Sequence, residues 1–196
     1  MSFKIQIPEY ARIAMKTLND NGFEAFVVGG CVRDSIMGKT ANDWDMTTSA
    51  TPEETLEVFK DFRTIPTGIK HGTITVLIDK QPLEITTFRI DGEYTDNRRP
   101  DSVSFTRNIE NDLSRRDFTV NAMAYNENGG IVDLFGGMSD IENKIIRCVG
   151  NPDKRFNEDA LRIMRAIRFS ATLGFEIEEK TADSIRRNKH LLKNIA

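Results

Sequence analysis

Glu24-Ala25-Phe26-Val27-Val28-Gly29-Gly30 decides the reading of this chain, together with Asp43-Trp44-Asp45-Met46, which follows after residues 31–42. The first stretch reads as a buried strand. It runs into two glycines, whose backbone lacks Cβ atoms and so lets a phosphate chain come close. A short helix around Val32 to Met37 is expected next, with free N–H groups at its positive end. Arg33 in its first turn suits phosphate oxygens, and Asp34 reads as its structural partner. In a strand, Asp43 and Asp45 would share one face. Two adjacent carboxylates repel unless a cation lies between them, and such hard oxygen donors suit Mg²⁺. A pair of ions roughly 3.5–4 Å apart activates an attacking hydroxyl and holds a leaving pyrophosphate. Glu84 is a charge inside the apolar run Leu83-Glu84-Ile85-Thr86-Thr87-Phe88, which makes it the candidate third carboxylate. No Gly-Lys-Ser/Thr follows the glycines, so the phosphate loop is not of the Walker type.

Outward from this centre the chain alternates helix and strand signals. Tyr10, Ile13, Ala14, Thr17 and Leu18 mark a first helix face that stops by Gly22. Thr51-Pro52-Glu53-Glu54 predicts a capped helix to about Lys60. Residues 73–78 and 83–88 read as a hairpin, 90–102 as a mobile polar loop, and 109–116 as helical. Asn128-Gly129-Gly130 is a tight turn, and from Pro152 the pattern is helical to the end. A domain boundary is expected near 147–150.

Residues 1–146 hold 23 acidic and 16 basic side chains, whereas 147–196 hold 7 acidic and 11 basic. The acidic part suits metal ions and the basic part suits phosphates. No apolar run is long enough for a transmembrane helix, and the N-terminus lacks a signal peptide's apolar stretch. Cys31 and Cys148 fit neither a metal-ligand spacing nor a disulfide framework. A cytoplasmic location is the expectation, with no membrane contact. Cys31 and His71 read as packing and loop residues.

Two further clusters carry chemistry. In Arg115-Arg116-Asp117-Phe118-Thr119-Val120-Asn121-Ala122, the aspartate can accept a hydrogen bond from a ribose 2′-OH while an adjacent arginine reaches phosphates. In Glu158-Asp159-Ala160-Leu161-Arg162, continued to Arg165 and Arg168, a single helix would place Ala160, Ile163, Met164, Ile167 and Ala171 on an apolar face. The charged residues would then lie opposite. Asp159 could accept from the amino group that cytosine and adenine share, and Arg162 could donate to the neighbouring ring nitrogen. Uracil and guanine reverse that polarity, which leaves unsatisfied groups at about 1–3 kcal/mol each.

Gly29-Gly30-Cys31-Val32-Arg33-Asp34, Asp43-Trp44-Asp45, residues 83–89 and residues 115–122 together resemble successive motifs of class II tRNA nucleotidyltransferases. These belong to the DNA polymerase β nucleotidyltransferase superfamily, and bacterial poly(A) polymerases share the motifs. The resemblance implies an α+β fold: a small mixed sheet with flanking helices over 1–148 and part of a helical neck over 149–196. It implies metal-dependent, template-free addition of C and A to tRNA 3′ ends from CTP and ATP, with pyrophosphate released. Asp43, Asp45 and Glu84 would be catalytic, with Mg²⁺ on Asp43 and Asp45. Gly29, Gly30, Arg33, Arg116, Asp117, Asn121, Asp159, Arg162, Arg165 and Arg168 would bind the nucleotide. Loop 90–100 resembles the flexible loop linked to the final A, and 133–147 the hinge between head and neck. Members are longer than this chain, so the parts that grip tRNA would be largely absent. The alternatives are a poly(A) polymerase and a truncated NTP- and metal-binding module. Oligomeric state is left open.

Overall fold

The apolar run read as a strand is β1 (Ala25–Val28), and all four of its residues are buried. Its alternating side chains feed two cores. Ala25 and Val27 join the larger, and Phe26 and Val28 join a smaller one with Phe88, Leu113 and Ala124. A strand covered on both faces needs no polar alternation, which is why this one is apolar throughout. The computed structural model describes residues 4–195.

Around β1 the chain builds a seven-stranded mixed sheet. α1 (Glu9–Asp20) precedes it and buries Ala11, Ala14, Met15 and Leu18. α2 (Gly30–Ile36) follows β1, and β2 (Asp45–Thr48) returns antiparallel beside it. α3 (Pro52–Val58) opens with the expected capping box, Thr51 and Glu54 each accepting from the other's backbone N–H. β3 (Arg63–Gly68), β4 (Thr73–Ile78) and β5 (Gln81–Thr87) form an antiparallel meander. Asp79 and Lys80 both take positive φ between β4 and β5. That is the two-residue turn whose twist matches the strands it joins. β5 then pairs parallel with β2. Beyond a side excursion, β8 (Met123–Asn126) and β9 (Gly130–Asp133) close the other edge, joined by the predicted Asn-Gly-Gly turn.

The excursion is β6 (Arg89–Asp91), β7 (Val103–Phe105) and α4 (Ile109–Ser114). Residues 90–102 were expected as one polar loop; its first two residues belong instead to β6, which pairs with β7 just beyond the loop's far end. α5 (Gly137–Glu142) then packs against the 3-10 turn at Thr119–Asn121. A Cβ at Gly137 would collide with the Thr119 carbonyl oxygen and the Met123 side chain, so only glycine permits that approach.

After β10 (Ile145–Ile146) come α6 (Pro152–Glu158), α7 (Leu161–Leu173), β11 (Glu176–Ile177) and α8 (Glu179–Asn188). The uninterrupted helical pattern expected from Pro152 is therefore corrected. β11 pairs parallel with β10, and a break at Asp159–Ala160 divides the first helix in two. The expected boundary near 147–150 lies inside one apolar cluster: Phe118, Val120, Ile146 and Cys148 pack with Phe156, Ile163, Ala166 and Phe169. Among the described residues no helix is long and apolar enough to cross a membrane.

Candidate active site

The carboxylates meet because two strands run parallel. Asp45 of β2 lies in register with Glu84 of β5. Glu84 alternates with the buried Leu83 and Ile85, so it stands on the face away from the main core. That answers why a charge sits in an apolar run: only one face of the run is apolar. β2 begins at Asp45, so Asp43 stands on the approach to the strand and not within it. The Asp45 carboxyl is pushed above its usual range. Burial is the largest cause, and Glu84 and Asp43 add to it while Arg116 opposes.

Two cavities share Asn42, Asp43 and Asp45. One, of about 440 Å³, is lined by Gly29, Gly30, Arg33, Asp34, Arg116, Asp117, Asn121, Arg165, Arg168 and Phe169. The other, of about 450 Å³, is lined by Tyr10, Trp44, Thr75, Gln81, Pro82 and Glu84. Each is within the roughly 300–1,000 Å³ of small-molecule sites. The first gathers four arginines; the second has aromatic, neutral and acidic side chains and no cation.

In the first cavity, Gly29 has φ +81°, and a Cβ there would stand 3.4 Å from an Arg116 nitrogen. Any side chain would be strained and would push on Arg116. Arg116 donates to Asp112 at 3.0 Å, and its buried Nε has no partner among the described residues. Arg33 donates to Asn121 Oδ1 at 2.6 Å and to Asp34 at 2.9 Å, the partnership expected for Asp34. Asp117 accepts from Arg165 at 2.6 Å and from the Phe118 N–H at 2.8 Å. The carboxylate expected to accept from a ribose 2′-OH is thus already paired with Arg165.

Asp159 and Arg162 line neither cavity. They do not share a helix, since Asp159 is extended (φ −136°, ψ 103°) at the end of α6. Arg162, expected on the polar face of one helix beside Asp159, is buried. It donates to Glu158 at 2.7 Å and to the carbonyls of Arg155 and Arg115 at 3.2 and 3.1 Å. Asp159 accepts from Arg98 at 3.1 Å and from the Leu161 N–H at 3.0 Å. The face expected to be apolar is mostly outward: Met164 and Ile167 are about half exposed, and Ala171 is exposed. The buried face instead carries Arg162, Ile163, Ala166 and Phe169.

The sequence reading missed Asp112 and Phe169. Asp112 is wholly buried and joins Arg115 at 2.7 Å, Arg116 at 3.0 Å and the Thr47 hydroxyl at 3.3 Å. Burial alone would raise its carboxyl, but Arg116 and Arg115 prevail and hold it below the usual range. The signal was present as acid-to-arginine spacings of three and four residues. Cys31 is buried as expected, and burial pushes its thiol up to about 11.

A family model described as the poly A polymerase head domain matches residues 25–147. The CCA-adding enzyme of Lactobacillus helveticus (strain DPC 4571) is 54% identical over 182 residues, covering 93% of this chain and 45% of that protein. That of Streptococcus suis (strain 05ZYH33) is 56% identical over 175 residues, covering 89% and 43%. Among solved structures, the Bacillus stearothermophilus CCA-adding enzyme in complex with CTP superposes with a TM-score of 0.89 at 44% identity, covering 97% of this chain and 46% of that one. A tRNA nucleotidyltransferase complexed with a primer tRNA and an incoming ATP analog gives 0.73 at 31%, covering 91% and 50%. The chain thus spans slightly less than half the length of these curated relatives, and by the match across residues 25–147 it belongs to the poly A polymerase head-domain family.

Proposed function

We propose that this chain is the catalytic part of an RNA 3′-end nucleotidyltransferase that adds C and A to tRNA from CTP and ATP. The observation that carries this reading is the pair of unlike cavities meeting at Asp43 and Asp45. Transfer needs two substrates on opposite sides of one phosphorus. The arginine-lined cavity suits the triphosphate. The cation-free cavity repels phosphate and suits the neutral end of an acceptor, with Tyr10 and Trp44 as faces for a base. The acceptor 3′-oxygen would bond to the α-phosphorus, the bond to the β-phosphate oxygen would break, and pyrophosphate would leave. The hydroxyl proton would pass by way of a carboxylate to solvent.

Mg²⁺ fits the donor set. Among the described residues no three His, Cys, Asp or Glu side chains close into a ready cation site. Mg²⁺ does not require one, since it is often held by one or two carboxylates completed by phosphate oxygens and waters. The raised Asp45 carboxyl, crowded by Glu84 and Asp43, marks a concentration of negative charge that a cation would relieve. Asp43 and Asp45 would hold the ion, with Glu84 assisting. When bound it would sharpen the nucleophile and neutralise the leaving pyrophosphate.

Base choice is proposed for Asp159 and Arg162, and in the present arrangement Arg98 and Glu158 occupy them. Base reading there requires those partners to be exchanged for the base edge. The test is tRNA lacking its 3′ end, incubated with each NTP in turn and resolved by length. Extension with CTP and then ATP, and none with UTP or GTP, is the expected result. Extension with ATP alone would replace this reading with poly(A) synthesis. NTP binding without extension would leave a nucleotide-binding module.

A further inference from the structure

Three guanidinium groups surround one aromatic ring in the arginine-lined cavity. The carbons at the centres of Arg33, Arg165 and Arg168 lie 5.2, 5.2 and 5.1 Å from the Phe169 ring centroid. Arg33 comes from α2, and the other two come from α7. Like charges gathered this way repel, and the protein offsets them only in part. Arg33 pairs with Asp34 and Arg165 with Asp117, whereas Arg168 has no ion-pair or hydrogen-bond partner for its guanidinium among the described residues. The ring itself is fixed. It is 8% exposed and packs edge-on against Phe118, at 5.9 Å and 84°. Phe118 adjoins Asp117, so one segment both orients the ring and holds Arg165.

We propose that Phe169 is a positioning residue whose ring gathers Arg33, Arg165 and Arg168 into a preformed polyphosphate receptor. The negative potential of an aromatic face attracts guanidinium groups and leaves their outer N–H donors free, which a carboxylate partner would consume. A ring therefore suits arginines that must hold still and yet remain available to phosphate. Preorganisation lowers the cost of ordering long side chains when ligand arrives. The inference rests on the reading of this cavity as the triphosphate site. It adds that an apolar residue, which need not touch phosphate, sets triphosphate affinity.

Fluorinated phenylalanines tune the face potential with little change of shape, so mono-, di- and trifluorophenylalanine at position 169 form the test. Binding of CTP, inorganic tripolyphosphate and CMP is measured by calorimetry with Mg²⁺, alongside thermal unfolding. CTP and tripolyphosphate affinities should fall in step with fluorine number, reaching about fivefold at three fluorines. CMP affinity and the unfolding midpoint should hold nearly constant. Flat CTP affinity across the series overturns the proposal, as does an equal loss for CMP, which would mean a general packing role. If the unmodified chain binds CTP no better than CMP and ignores tripolyphosphate, the triphosphate site itself falls, and the proposal with it.

Discussion

Asp112 and Asp45 are both carboxylates beneath the same sheet face, and the protein treats them in opposite ways. Asp112 has no exposed surface, receives two arginines and the Thr47 hydroxyl, and is held below its usual range. Asp45 faces Glu84 across the β2–β5 ladder, has Asp43 two residues away, and is pushed above its usual range. Thr47 lies two residues beyond Asp45 on the same strand face, so the satisfied and unsatisfied charges are near neighbours. The fold completes a charge where it needs a fixed scaffold. It leaves charges incomplete at the cavity where the proposed function places a cation and a phosphate. Arg116 links the two environments, anchored on Asp112 and facing the cavity at Gly29.

The largest expected effect separates them by function. Asp45→Asn should lower nucleotide addition by more than about a thousandfold, since a catalytic cation supplies several kcal/mol. The same change should raise the thermal midpoint of the Mg²⁺-free chain at neutral pH. A raised folded-state pKa means that the native chain holds this proton more tightly than the unfolded chain. That contribution is present at low pH and is lost as pH rises through the folded pKa. Asn removes the loss. Added Mg²⁺ should stabilise the wild type and leave the variant unmoved, read by thermal unfolding with and without the ion.

Asp112→Asn should do the reverse. Stranding Arg115 and Arg116 should cost about 3 kcal/mol in denaturant unfolding. Its depressed carboxyl contributes stability that is present above the unfolded pKa and is lost as pH falls through the folded one. The wild type should therefore weaken in acid more steeply than the variant. If both aspartate variants destabilise alike, the contrast between scaffold and site collapses.

Asp117→Ala should narrow the preference for ATP over dATP by about tenfold, the worth of one charge-assisted hydrogen bond, measured from kcat/KM for the two substrates. Equal use of ATP and dATP by the wild type would refute the assignment. The smallest effect belongs to Arg186→Ala. Its pair with Asp183 is exposed on α8, and stability should move by less than about 0.5 kcal/mol.

The part of the site nearest the sheet was legible because strand alternation and glycine geometry are local rules. Gly29, Gly30, Arg33, Asp43 and Asp45 line one cavity, and Glu84 joins the aspartates from the next strand, although Asp43 precedes β2 and does not share its ladder as expected. β3 was not read, since it mixes exposed residues with Pro66 at a sheet edge, where apolar pattern is weakest. The α6–α7 break was hidden for another reason. Residues 158–173 contain good helix formers, and what divides them is long-range: the Ala160 N–H bonds to the Asn97 carbonyl, sixty-three residues away. The Asp159 side chain then caps the Leu161 N–H, starting a new helix. The burial of Arg162 was not legible in consequence, because it depends on carbonyls supplied by Arg115 and Arg155.

The parallel pair of β10 with β11 has a consequence for dissection of this chain. Gly150 and Asn151 form an exposed link, with Gly150 at φ +67°, where a protease would nick. The segments on either side remain clasped by the Ile145–Ile146 ladder with Glu176–Ile177, by the Arg162 guanidinium on the Arg115 carbonyl, and by Phe156 and Ile163 against Phe118. Cleavage there would yield two polypeptides on a denaturing gel and one particle in solution. The linker is thus a seam for split-protein reassembly, at which the arginines of α7 can be exchanged without rebuilding the sheet that holds the carboxylates.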